Sequence, residues 1–144
     1  MSWVRVWIHA VFTTKNRAPL IHRDFRRDLF LHIKANAKEK SINLIEINGH
    51  FDHAHCLFSL NKELSLSKTL QLIKGESSYW VNKNKLSKEK FLWQDDYWAV
   101  GVSESHLQAV KKYIQGQEQH HKKENFEEEI DVFMKKYGWT WQKD

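Results

Sequence analysis

Residues 3–14, WVRVWIHAVFTT, alternate between two faces. Val4, Val6, Ile8, Ala10 and Phe12 fall on one, and Trp3, Arg5, Trp7 and His9 on the other. A period of two predicts a strand with an apolar face on a core and a more polar face opposite. The basic loop TKNRAP follows and holds the only proline, Pro19. From Asp24 the period lengthens. Phe25, Leu29, Ile33 and Ala37 lie four apart while Arg26, Arg27, Lys34 and Lys38 point elsewhere, the pattern of an amphipathic helix.

SINLIEIN reads as a second strand, starting near Ile42 and ending at the turn signal Asn48-Gly49, and HAHCLFSL as a third. SLSKTLQLIKGESSYWVNKNK returns to a helical period, with Leu66, Leu70, Ile73, Ser77 and Trp80 on one stripe and Ser67 as a candidate N-cap. KFLWQDDYWAVGVS predicts two short extended pieces around Asp95-Asp96, and SESHLQAVKKYIQGQEQHHKKE a helix capped at Ser103. A last amphipathic segment, Asn125 to Tyr137, carries Phe126, Ile130, Phe133 and Met134 on one side. The acidic run ENFEEEID reads as a solvated helix face. The order β-α-β-β-α-β-α-α, with the second and third strands one short turn apart, predicts an α+β domain over residues 1–144. Its antiparallel, ferredoxin- or RRM-like sheet would carry helices on its apolar face.

In DHAHCLF the strand parity separates two sets. Ala54, Cys56, Phe58 and Leu60 are small or apolar and face the core, so His53, His55 and Leu57 stand on the opposite face. Two imidazoles separated by one strand residue, about 6–7 Å between Cβ atoms, can converge on one ion. Taken alone the pair reads rather as wet-face strand residues, and a metal needs further ligands. In the helix after Ser103, a turn of about 100° per residue brings Tyr113, Gln117 and His120 within an arc of roughly 60°. That arc lies beside the apolar arc of Leu107, Val110 and Ile114. Gly116 falls mid-helix in this reading, at a cost of about 1 kcal/mol relative to alanine. His9 and His50 read as structural, and Tyr79, Tyr97 and Tyr137 as members of stripes or extended segments.

Composition narrows the class. At 144 residues one domain is expected, with no run approaching the apolar length of a membrane span. The N-terminus has neither the apolar core nor the cleavage site of a signal peptide, so a mature cytoplasmic chain is expected. The single cysteine, Cys56, excludes an internal disulfide and Cys-rich zinc motifs. A net charge of +5 and seven tryptophans suit a single-stranded nucleic acid, with cations for phosphates and flat rings for unstacked bases. Lys15, Arg17, Lys74 and Lys83 are candidate phosphate contacts, with His120 as a further DNA contact.

These pieces together resemble the single-tyrosine HUH transposases of the smallest bacterial insertion sequences, the IS-two-hundred-like group. IHAVFTTKNR resembles the family's first strand and basic loop. DHAHCLF resembles its HUH motif, with small Ala54 where a bulky residue is usual. KTLQLIKGESSYWVN resembles the helix that follows, and WQDDYWAVGVSES the extended stretch ahead of the catalytic helix. YIQGQEQHH resembles the nucleophile motif, a tyrosine with a glutamine four residues on and a histidine pair beyond. The likeness spans about Val4 to Tyr137.

The resemblance implies a metal-dependent DNA strand transferase. His53, His55 and Gln117 would hold one divalent ion, magnesium or manganese, although imidazole ligands alone favour zinc-like ions. Tyr113 would attack a phosphate of single-stranded DNA at hairpin-marked element ends, forming a 5′-phosphotyrosine and releasing a 3′-hydroxyl. The family works as a homodimer in which the tyrosine helix of one subunit completes the other's site. A non-catalytic single-strand nucleic-acid binder using exposed aromatics such as Trp3 and Trp7 is the alternative. A zinc hydrolase is disfavoured, because no HExxH motif is present.

Overall fold

The computed structural model describes residues 1–117, together with Glu128, Asp131, Val132 and Lys135. Of the expected helix over Asn125–Tyr137, Glu128, Asp131, Val132 and Lys135 are described and are helical, while its apolar side of Phe126, Ile130, Phe133 and Met134 lies outside the described residues, as do His120, His121 and Tyr137.

Within residues 1–117 the strands and α-helices follow in the order β1 (Trp7–Thr13), α1 (Arg23–Glu39), β2 (Asn43–Gly49), β3 (His53–Ser59), α2 (Leu66–Lys83), β4 (Trp98–Val102) and α3 (Leu107–Gln115). The sheet has the order β2-β3-β1-β4, and every neighbouring pair is antiparallel. This is the expected α+β architecture of ferredoxin-like connectivity. Among the described residues no helix is long and apolar enough to cross a membrane.

The two long helices share one face of the sheet. Ile8, Ala10 and Phe12 of β1 and Ala54, Cys56 and Phe58 of β3 meet Phe25, Leu29, Ile33 and Ala37 of α1 and Leu70, Ile73 and Val81 of α2 in one core. All four members of the α1 stripe are buried as the period requires. Arg26, expected to point away, is buried as well. Its guanidinium lies 4.5 Å from the centre of the Phe51 ring and donates from Nη2 to the Ile21 carbonyl, so its head group is held where its stem packs. Ser77 sits in the apolar stripe of α2 because its hydroxyl donates to the Ile73 carbonyl at 2.7 Å and accepts from Trp93 Nε1 at 2.9 Å.

The helix α3 packs on the other face. Val110 and Ile114 cover Leu57, with Ile45, Val102, Leu107 and Tyr113 around them. A register shift between Leu44 and Glu46 on β2 makes this two-sided burial compatible with the strand. Leu44 and Ile47 both reach the main core, while Ile45 packs with α3.

Four boundaries differ from the sequence reading. β1 begins at Trp7, whose partners are Ser59 and Val102 at the ends of the neighbouring strands, so the ladder stops there. Trp3, Val4 and Val6, expected within the strand, are exposed at 89%, 50% and 44%. The N-cap of α2 is Ser65, whose hydroxyl accepts from the Lys68 amide at 3.0 Å, since Leu66 is already helical and Ser67 lies within the first turn. Ser103 precedes a short 3-10 turn, Glu104–His106, and its hydroxyl pairs with His106 Nδ1 at 2.6 Å rather than with a backbone amide. Gly116 breaks the regular run of α3, donating its amide to the Lys112 and Tyr113 carbonyls, and Gln117 after it is again helical.

Candidate functional site

Strand parity places His53, His55 and Leu57 under α3, as expected, but the face is not wet. His53 and His55 are each 0% exposed. Their rings meet edge to face with centroids 5.2 Å apart. The β2–β3 hairpin sets where His53 begins. Gly49 pairs with Ala54, and the His50 amide donates to the His53 carbonyl at 3.1 Å. A Cβ on Gly49 would run into that same carbonyl oxygen, so this close approach requires glycine.

Each histidine is held at Nδ1. The Asp52 carboxylate accepts from His53 Nδ1 at 2.8 Å. Arg17 donates from Nε to the other oxygen of Asp52 at 3.3 Å. Burial alone would push the Asp52 carboxyl up, but the neighbouring His53 and Arg17 outweigh it and hold the group below its ordinary 3.8. His55 Nδ1 lies 2.9 Å from Nε2 of His9.

His9 is the residue sequence reasoning missed. It is fully buried, its ring meets that of His55 edge to edge with centroids 5.2 Å apart and planes 27° from parallel, and its contacts reach Trp98 and Tyr113 at 5.5 Å and 6.3 Å between centroids. The signal was its parity on β1, on the face away from Ile8, Ala10 and Phe12. What the sequence lacked was the pairing of β1 with β3, which sets Val11 opposite His55 and His9 opposite Leu57.

From above, α3 brings the other two side chains. Tyr113 stands edge-on to His55 with centroids 5.6 Å apart. Gln117 is fully buried, and its Oε1 lies 3.3 Å from His53 Nε2 while its Nε2 points back to the Tyr113 carbonyl at 3.5 Å. The helix is pinned to β2 by Gln115. Its Nε2 donates to Glu46 Oε2 at 2.9 Å and its carbonyl accepts from Asn48 Nδ2 at 3.1 Å. Thus Tyr113, His53, His55 and Gln117, sixty residues apart in two groups, converge within one chain.

The donor chemistry fits a cation. With Nδ1–H given to Asp52, His53 would turn an Nε2 lone pair toward the Gln117 carbonyl oxygen whenever the ring carries a single proton, and the amide nitrogen's contact with the Tyr113 carbonyl sets that orientation of Gln117. Two acceptors at 3.3 Å repel unless a cation or a proton lies between them. At this separation both atoms can reach one shared cation with bonds of about 2.1 Å. Among the described residues no group of three His, Cys, Asp or Glu side chains gathers as a metal site.

The candidate DNA contacts are scattered. Lys15 and Arg17 lie in the 3-10 turn after β1, where Asn16 and Arg17 both adopt left-handed backbone (φ 56° and 55°). Such conformations cost of order 1 kcal/mol each, and here they carry Arg17 to Asp52. Lys15 is exposed beside the same loop. Lys74 donates to the Gln94 and Asp95 carbonyls, and burial pushes its ammonium pKa down against the opposing pull of Asp95 and Asp96. Lys83 stands 5.8 Å from the centre of the exposed Tyr79 ring at the end of α2. Neither lysine lies at the histidine cluster. Trp7 donates from Nε1 to Glu104 at 2.9 Å, whereas Trp3 projects into solvent.

Comparison with known proteins bears on the family and the fold. The family described as "Transposase IS200 like" matches residues 2–117. No curated protein matches the sequence. Among solved structures, the crystal structure of a candidate transposase from Deinococcus radiodurans R1 superposes with a TM-score of 0.64 at 19% identity, covering 81% of this chain and 93% of that one. A REP-associated tyrosine transposase bound to a REP hairpin gives 0.56 at 16% identity, covering 84% and 72%. At these identities the likeness speaks for the fold.

Proposed function

The chain belongs to the IS200-like transposase family, and from that premise we propose that it cuts single-stranded DNA and joins the strand elsewhere through a covalent 5′-phosphotyrosine on Tyr113. The observation that carries the reading is the placement of the Tyr113 ring over His55, beside the facing His53 Nε2 and Gln117 Oε1. A hairpin-bound neighbour of the same fold supports hairpin DNA as the substrate.

His53, His55 and Gln117 would hold a magnesium or manganese ion. Bound there, the ion would polarise the scissile phosphate and offset the charge that develops on it. The protein's own part is positional. Asp52 orients His53, Gln115 anchors α3 to β2, and Ile114 and Val110 fix the face of the helix that carries Tyr113. The Tyr113 oxygen bonds to phosphorus as the bond to the 3′ oxygen breaks. The phenolic proton leaves and the released 3′ oxygen takes one up. A second 3′-hydroxyl reverses the step at the phosphotyrosine and frees Tyr113, so the strand is transferred with its bond energy conserved and without a nucleotide cofactor.

The working unit in this reading is a homodimer. The described chain packs its own α3 over its own histidines, and a partner copy's α3 could make the same contacts after exchange.

The test is a covalent adduct. Wild-type protein mixed with single-stranded hairpin DNA of the element ends and manganese should give a slower band on a denaturing gel, absent with Tyr113→Phe. No adduct with wild type, or an adduct that survives Tyr113→Phe, would leave the non-catalytic binder as the better reading.

A further inference from the structure

The two histidines of the HUH motif are held differently, and the difference assigns a role to a residue outside the motif. His53 gives Nδ1 to a carboxylate that is 22% exposed at its side chain. His55 gives Nδ1 to the fully buried imidazole of His9. We infer that His9 is a positioning residue for the proposed metal site: its Nε2 accepts from His55 Nδ1–H, fixes that tautomer of His55, and leaves His55 Nε2 as the ligand atom.

The inference rests on the reading of His53, His55 and Gln117 as ligands. Given that reading, only one proton arrangement works. His55 Nδ1 faces His9 at 2.9 Å, so the ligand atom of His55 must be Nε2. A ligating Nε2 carries no proton, so the neutral ring carries its proton on Nδ1 and donates it. His9 Nε2 is then the acceptor. The opposite arrangement, with His9 donating, would put the His55 proton on Nε2 and close that atom to a cation.

The surroundings explain why the acceptor is an imidazole. A carboxylate at position 9 would stand at 0% exposure with no solvent to share its charge, at a desolvation cost of several kcal/mol. It would also add a negative charge beneath a site that must admit a phosphate. A neutral imidazole supplies the acceptor without either penalty. Trp98, edge-on at 5.5 Å, and the nearly parallel His55 ring, 27° from coplanar, box the His9 ring in place. Tyr113 rests edge-on against both imidazoles, so the same ring that orients the ligand also supports the nucleophile.

The experiment compares the full-length wild type with His9→Gln and His9→Leu. Glutamine presents an acceptor oxygen at nearly the reach of Nε2, and leucine presents none. Manganese binding is followed by electron paramagnetic resonance without DNA, and nitrogen-15 NMR of the metal-free wild type reads the His55 tautomer. Expected are an Nδ1–H tautomer for His55, manganese affinity weakened about 10- to 100-fold in His9→Leu, and affinity close to wild type in His9→Gln. Hairpin binding in EDTA should be the same in all three. An Nε2–H tautomer overturns the inference, as does wild-type affinity in His9→Leu or equal weakening in both variants. Should His9→Leu fail to fold, the tautomer and His9→Gln still decide. Absence of manganese binding in the wild type would overturn the metal reading itself, and the inference with it. Normal wild-type binding with unaffected variants would overturn the inference alone.

Discussion

Asp52 Oδ1 accepts a hydrogen bond from His53 Nδ1 at 2.8 Å, and that single contact decides which edge of the imidazole faces Gln117. A carboxylate behind a ligating histidine both fixes the ring and raises its basicity. Asp52→Ala should therefore weaken manganese binding by about 10- to 100-fold, and Asp52→Asn, which keeps an acceptor but not the charge, by less. Isothermal titration checks this. Equal affinity in all three proteins would show that the contact does not prepare His53 for a cation.

In the proposed metal site Gln117 would supply an oxygen ligand beside the two histidines. Gln117→Leu removes the donor but leaves the α3–β2 contacts of Gln115 in place. The expected outcome is loss of manganese binding, adduct formation reduced by about 100-fold or more, and unchanged hairpin binding in EDTA. Gln117→Glu retains an oxygen and should bind manganese more tightly than wild type. If Gln117→Leu binds the ion normally, the facing of His53 Nε2 and Gln117 Oε1 has another cause.

Much of this arrangement was legible because it depends on local period. The α1 stripe, the β2–β3 hairpin and the division of Ala54, Cys56 and Phe58 from His53 and His55 all follow from spacings of four or two. What period cannot supply is which strands become neighbours. His9 and His55 lie 46 positions apart and meet only because β3 pairs with β1, so His9 had a face but no partner in the sequence. The same limit hid the burial of the histidines. A polar face looks wet until a helix from the far end of the chain is laid on it. The misplaced caps have a smaller cause, since Ser65 and Ser67 are equally good capping side chains and only the first helical residue chooses between them.

Cys56 faces the main core beside this site, fully buried. Burial pushes its thiol pKa from 9.0 up to about 12, only partly opposed by a backbone hydrogen bond with Ala10. The folded chain thus favours the neutral thiol more than the unfolded chain does. That contribution to stability is complete below pH 9.0 and is lost as pH rises toward about 12. Thermal melts of wild type and Cys56→Ala should differ in slope over this alkaline window, wild type falling more steeply. Iodoacetamide should leave native Cys56 unmodified at neutral pH and label it in urea. Rapid native labelling would contradict the placement of Cys56 in the core.

Lys15 and Arg17 share a loop but differ in their surroundings. Lys15 is an exposed cation, so Lys15→Ala should weaken hairpin binding across sequences and lower the slope of log affinity against log salt by about one. Arg17 is an ion-pair partner of Asp52 at 3.3 Å. Arg17→Ala should also lower manganese affinity, an effect that Lys15→Ala lacks. Measuring both ligands for both variants separates a phosphate contact from support of the carboxylate behind His53. Identical profiles for the two would show that the Arg17–Asp52 pair does not reach the site.

Gly49 tests whether the hairpin sets the position of His53. Its Cβ-less backbone lies against the His53 carbonyl, one residue from the His50 amide that bonds the same oxygen. Gly49→Ala must push the two strands apart at their closed end, because the obstacle is backbone and cannot rotate away. Such overpacking costs about 1–3 kcal/mol. The displaced residue is His53, whose Nε2 must stay near Gln117 for a shared cation. Gly49→Ala should accordingly lose both stability in urea and manganese affinity, while Gly75→Ala, where the added Cβ meets open space, should lose neither. A Gly49→Ala protein with reduced stability but wild-type manganese binding would show that the hairpin closes the fold without placing the ligand.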